Sequence, residues 1–113
     1  MSKRLPKLLL DDILDSSEKI ISYTKSLTFE EFESDDKTID AVIRNYEIIG
    51  EASKLLPDEF KDLHPEVDWH RIRGFRNRIV HDYFGVDNQI VWKITLDQIP
   101  SLITQITFIL RDL

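Results

Sequence analysis

Apolar residues recur along this chain at spacings of three and four, as expected for helices with one buried face, and no stretch alternates long enough to make a strand. Pro6 suits a first helical turn, and Leu5, Leu8, Leu9, Ile13, Ile20 and Ile21 give one apolar face up to about Leu27. The stretch TFEE, Thr28 to Glu31, has the form of a capping box, so a short helical turn starts there with Phe29 and Phe32 as anchors. Ser34 and Asp35 can cap a second long helix that runs to about Leu56 and stops before Pro57. Its polar arc is narrow, holding Lys37, Asp40, Arg44, Glu47, Glu51 and Lys54. A helix with so wide an apolar arc either sits in the middle of a bundle or also forms a subunit contact. A chain of 113 residues leaves little room for the first option alone, so a homodimer is expected.

Pro57 to His64 reads as a short helix and Pro65 to Val67 as a turn. Asp68 is the N-cap of a helix spanning roughly Trp69 to Phe84 and ending at Gly85. Asp87 caps a final helical region, Asn88 to Leu113, which Pro100 should kink or split near Leu96 to Ile99. The fold class that follows is all-α: one domain over residues 1–113, an up-and-down bundle of four to five helices, homodimeric.

Composition narrows this further. With 42% hydrophobic residues, 3 Gly and 4 Pro, the chain can bury a core. It has no cysteine, so disulfides, thiolate metal sites and cysteine nucleophiles are excluded together and the cytoplasm is the expected compartment. The start, MSKRLPKLLLDDIL, is interrupted by Asp11 and Asp12 and does not read as a signal peptide; no apolar stretch is long enough for a bilayer, so no membrane partner is expected. A net charge of −6 argues against holding nucleic acid by bulk electrostatics, so a phosphate-rich partner must meet a local patch.

One such patch exists. HRIRGFRNRIVH, His70 to His81, holds four arginines and no acidic residue. On a single helical wheel centred on Ile72 and Ile79, Arg71, Arg78 and Asp82 fall on the far side and are solvated. Arg76 and Tyr83 lie about 20° apart, inside the apolar arc. A guanidinium there must be partnered, snorkel to water, or line a cleft, and both a structural ion pair and a functional site are open at this point. His81 lies about 140° from Arg76 on an ideal helix. Either the helix ends or bulges near His81, or the two residues act across a two-fold axis. Asn77, His70 and Arg73 share the His81 side as a strip of donors. A helical histidine taken alone is more often structural or solvated than catalytic. For Arg44 and Glu51 on the second long helix, the plainer reading is a solvent-facing ion-pair ladder.

Arg76, Asn77 and His81 match the R-polar-x-x-x-H core of HEPN-domain ribonucleases, and Tyr83 extends it to an R-x4-H-x-Y form that resembles the HepT branch. RNYEIIGEASKLLP, DWHRIRGFRN and DNQIVWKI also look like HepT sequence, so the resemblance runs from about Leu8 to Leu110. The tyrosine, Trp69, Trp92 and the GEAS segment make it specific, and no motif position departs from the pattern. The resemblance implies a dimeric helical bundle with both copies of the motif lining an interfacial cleft. It implies the toxin half of a type II toxin–antitoxin pair, partnered by an MntA-like minimal nucleotidyltransferase, with metal-independent cleavage of RNA, plausibly tRNA, and no cofactor. Arg76 and His81 would be catalytic, Asn77 and Tyr83 supporting, and Arg73 and His70 further RNA phosphate contacts. Tyr83 would also receive AMP from the partner.

The residue types suit that chemistry. A base must take the 2′-hydroxyl proton, an acid must protonate the leaving 5′-oxygen, and a cation must hold the phosphorane charge. Histidine titrates near neutral pH unaided, while arginine offers a planar fork and keeps its proton. Two other classes compete with this reading. One is a non-catalytic substrate-binding subunit of a nucleotidyltransferase complex, which needs only the arginines; the other is a plain dimerisation domain in which Arg76 pairs with Glu47 or Glu51.

Overall fold

Pro6 opens α1 (Pro6–Thr24) in the first turn, where its missing N–H costs no hydrogen bond. In this computed structural model residues 5–81 and 85–113 are described, His81 by its backbone. Helix α1 buries Leu10, Ile13 and Ile20 completely. On the same face the hydroxyls of Ser17 and Thr24 donate to the carbonyls of Ile13 and Ile20 at 2.7 and 2.8 Å, so the buried polar groups are satisfied locally.

The capping box forms as the sequence predicts. At the start of α2 (Phe29–Glu33), Thr28 Oγ1 accepts from the Glu31 N–H at 3.1 Å, and the Glu31 carboxylate accepts from the Thr28 N–H at 3.0 Å. Asp35 caps α3 (Asp36–Leu55), accepting from the Thr38 hydroxyl at 2.7 Å and the Thr38 N–H at 3.1 Å. Those two hydrogen bonds, the hydroxyl's first, hold the Asp35 carboxyl below its ordinary value. A short α4 (Asp58–Asp62) follows Pro57.

Helix α3 is the centre of the molecule. It packs on α1 and α2 with one part of its circumference, and on the two short helices that follow α4 with another. Val42, Tyr46 and Ile49 are fully buried between them. Much of its apolar arc is thus covered within one chain, while Leu55, 55% exposed, and the half-buried Ile48 remain open on a cleft that α3 borders.

The helix expected from Trp69 to Phe84 is instead two short ones, α5 (Trp69–Arg73) and α6 (Phe75–Ile79). Gly74 separates them, its N–H donating to the carbonyls of both His70 and Arg71 at 3.1 Å. The chain then leaves the helix: Val80 is extended, and β1 (Val80–His81) pairs antiparallel with β2 (Gly85–Val86), His81 opposite Gly85. Gly85 sits at φ 74°, a left-handed conformation that glycine adopts without steric cost. Two residues per strand are too few to show alternation, which is why the sequence pattern reads as continuous helix through Val80.

Asp87 caps α7 (Asn88–Asp97) by accepting from the Ile90 N–H at 3.1 Å. Helix α8 (Ile99–Arg111) restarts with Pro100 in its first turn, so the final helical region splits at the expected place. The result is a mostly helical globule with four helices of seven or more residues among those described. Among the described residues no helix is long and apolar enough to cross a membrane.

One buried polar pair ties α3 to α7. The Thr95 hydroxyl donates to the Val91 carbonyl at 2.8 Å, so its oxygen accepts from the Tyr46 hydroxyl at 2.7 Å. Thr95→Val should cost about 1–3 kcal/mol by stranding the Tyr46 hydroxyl, and Tyr46→Phe only about 1 kcal/mol. Thermal unfolding ranks the two, and a Thr95→Val variant no less stable than Tyr46→Phe would show that the Tyr46 hydroxyl does not depend on Thr95. Burial also raises the Tyr46 pKa well above the ordinary 10.0. The unfolded chain therefore loses this proton first, and stability falls as pH rises above about 10. Alkaline denaturation should show a shallower fall in Tyr46→Phe.

Candidate functional site

The basic segment is held against α3 by two contacts. Phe75, 1% exposed, stands edge-on to the Tyr46 ring with centroids 5.5 Å apart and planes at 89°. One turn of α3 further on, Gly50 faces the end of α5. A methyl group placed there would lie 3.6 Å from the Arg73 carbonyl oxygen and 3.9 Å from that of Ile72. With Phe75 and Ile79 fixed in the core at positions i and i+4, Arg76, Asn77 and Arg78 between them are all exposed.

This corrects the wheel placement of Arg76. The wheel was centred on Ile72 and Ile79 alone; Phe75, buried with them at the same helical spacing, moves the buried face away from Arg76 and leaves it exposed. Arg71 and Arg78 are exposed as expected, Arg71 within 3.6 Å of Asp68. Asp82 and Tyr83 lie outside the described residues. For His81 the backbone shows that helix α6 has already ended, so the ideal-helix angle between His81 and Arg76 does not apply.

Arg73, Arg76 and Asn77 meet on one open cleft of about 560 Å³. Its other wall is α3, through Arg44, Glu47, Glu51 and Lys54, with Leu9 and Asp12 of α1 at one side. His70 is exposed but is not among the residues that line it. Among the described residues Arg44, Arg73 and Arg76 form no ion pair, and neither Glu47 nor Glu51 closes on them. The ladder expected along α3 at Arg44 and Glu51 is likewise unformed. The lining thus sets Arg44, Lys54, Arg73 and Arg76 against Asp12, Glu47 and Glu51, a slight local excess of positive charge in a chain of net −6.

The plain dimerisation reading needed Arg76 paired with Glu47 or Glu51, and that pairing is missing among the described residues. Sequence reasoning undervalued Arg44, Glu47, Gly50 and Lys54 as a wall of the cleft. The signal was there in the narrowness of the α3 polar arc, since a helix buried almost all round exposes one stripe, and here that stripe faces the arginines. Among the described residues no cluster of three or more His, Asp or Glu is placed to hold a metal ion.

The family model for HepT-like ribonucleases matches residues 13–109, and the chain belongs to that family. It is 48% identical over 100 residues to a protein of Thermococcus cleftensis named as a probable ribonuclease HepT, an alignment covering 88% of this chain and 91% of the relative. A Methanocaldococcus jannaschii protein named as a putative RNase is 40% identical over 113 residues, all of this chain and 93% of its own length. Another, from Caldanaerobacter subterraneus subsp. tengcongensis and also named as a putative RNase, is 41% identical over 108 residues, 96% of each chain. No solved structure gives a significant match.

The close approach at Gly50 yields a graded test. Gly50→Ala places its methyl at ordinary contact distance and gains helix propensity, so it should leave stability unchanged or raise it by up to about 1 kcal/mol. Gly50→Val adds branches toward the α5 backbone and should cost about 1–3 kcal/mol through overpacking. Chemical denaturation measures both, and a Val variant as stable as Ala would show that α3 and α5 are not in close contact.

Proposed function

We propose that this chain is a toxin of the HEPN class, an endoribonuclease that cuts RNA without a metal ion in the cleft between α3 and α5–α6. The observation that carries the reading is the set of three guanidiniums, Arg44, Arg73 and Arg76, gathered on one cleft with no ion-pair partner among the described residues. Such an arrangement is repulsive until an anion sits in it, and arginine forks suit phosphate oxygens.

Arg76 takes the charge that builds on the phosphorane, and Asn77 beside it orients a phosphate oxygen or the His81 ring. His81 removes the 2′-hydroxyl proton, the 2′-oxygen attacks phosphorus, and the 5′-oxygen leaves with a proton from a second acid. The products are a 2′,3′-cyclic phosphate and a 5′-hydroxyl. A homodimer supplies the second acid as the other copy's histidine. Arg73 adds a phosphate contact; His70, outside the cleft lining, serves an RNA segment beyond it. The substrate is a selected RNA such as tRNA, since an acidic protein with one local patch does not hold RNA indiscriminately.

A cognate MntA-like nucleotidyltransferase silences the toxin. The Tyr83 hydroxyl attacks the α-phosphate of ATP, pyrophosphate leaves, and the new phosphodiester places a negative charge near the arginines. A non-catalytic binding subunit for such an enzyme is the second reading, favoured by the same unpaired arginines, and it does not require His81.

Purified protein incubated with total RNA in excess chelator should leave 2′,3′-cyclic phosphate ends. His81→Ala and Arg76→Ala should each reduce their yield by about 100-fold or more, the usual scale for losing an acid–base or charge-stabilising group. Expressed alone, the wild type should arrest growth, and Tyr83→Phe should arrest it even when the nucleotidyltransferase is present. If His81→Ala arrests growth as well as the wild type with no new RNA ends, the binding-subunit reading takes over.

A further inference from the structure

The α3 wall of the cleft is built in an order that constrains how a strand lies there. Arg44 stands toward one end and Lys54 toward the other, about 15 Å apart along the axis at roughly 1.5 Å per residue. Glu47 and Glu51 lie between them on the same face. A phosphate backbone running along α3 would have to pass both carboxylates. Arg44, Arg73 and Arg76 all line the cleft, so a backbone crossing it from α6 to α3 can meet all three.

Arg44 is also uncommitted within its own helix. Asp40 lies four residues before it and Glu47 three after, the spacings at which helix ion pairs form, yet neither pairs with it. Its donors are exposed on the cleft with those of Arg73 and Arg76. The cleft volume of about 560 Å³ is on the scale of a single drug-sized ligand, room for one or two nucleotides of a single strand and not for a duplex.

Building on the ribonuclease reading, we propose that Arg44 is a second phosphate contact, so that the cleft takes two successive phosphates of one single strand. One phosphate sits at Arg73 and Arg76, and the next sits across the cleft at Arg44. The ligand class is then a single-stranded oligonucleotide of at least three residues, and a dinucleotide with its one phosphodiester occupies only half of the site.

The test is equilibrium binding of fluorescently labelled, fully 2′-O-methylated oligonucleotides, which bind without being cut, over a series of salt concentrations. The probes are a trinucleotide with two phosphodiesters and a dinucleotide with one. For the trinucleotide, Arg44→Ala should weaken binding several-fold at low salt and lower the slope of log K against log salt by about 0.7, the share of one phosphate contact on a single strand. Arg44→Lys should keep the slope. The loss on the dinucleotide should be several-fold smaller. An unchanged slope in Arg44→Ala, an equal loss on both probes, or no binding of either probe overturns the proposal. Because the probes cannot be cut, the length-dependent loss can appear in a protein that cleaves no RNA, which would retire the ribonuclease reading and keep this one. Cleavage of natural RNA with an unchanged slope would do the reverse.

Discussion

The basic side of the molecule depends on how closely the middle of α3 approaches the end of α5. Gly50 presents no side chain to the carbonyls of Ile72 and Arg73, and Phe75 locks the next helix onto Tyr46 just beyond. These contacts are apolar or backbone in kind, yet they fix where the charged groups go. Once Phe75 and Ile79 are buried, Arg76 and Asn77 have only the cleft side left to them, and the single exposed stripe of α3 becomes the opposite wall. The site is a consequence of core packing on either side of it.

This arrangement also explains how an acidic chain can offer a place to an anion. Most of the carboxylates lie away from the cleft, many of them in α2 and the first turns of α3 and α4, where negative charge suits helix N-termini. Inside the cleft the carboxylates of Glu47 and Glu51 remain apart from the arginines and neutralise none of them by contact. An incoming phosphate therefore meets guanidiniums with donors to spare. With a net charge of −6 on the whole chain, any attraction for a polyanion has to come from this local excess of arginine.

Much of the fold was legible because its signals are local. The capping box at Thr28, the caps at Asp35, Asp68 and Asp87, the stop before Pro57 and the split at Pro100 each rest on a few neighbouring residues. What was misread is the run from Trp69 to Phe84, where one helix was carried past Ile79 and Phe75 was left out of its buried face. Its end is set beyond the helical pattern: Val80 turns extended to pair with Val86, and Phe75 is buried against Tyr46. The error moved Arg76 into the core on paper. Its position on a cleft is one of the alternatives the sequence had left open. The α3 wall was harder to see, since a polar stripe on a helix says nothing of what faces it until the neighbouring helix is placed. The homodimer belongs with the proposed function, for the apolar arc that suggested it is covered only in part within one chain, Ile48 and Leu55 staying open on the cleft.

The central claim is that RNA is held between α3 and α5–α6. Its most direct test is to map backbone amide shifts by NMR as an uncleavable single-stranded RNA is titrated into the protein. The account predicts that the perturbed amides fall on Arg44 to Leu55 and on Trp69 to Ile79. Perturbation confined to a separate shallow groove of about 330 Å³, where Phe29, Trp92 and Leu96 lie, would contradict it.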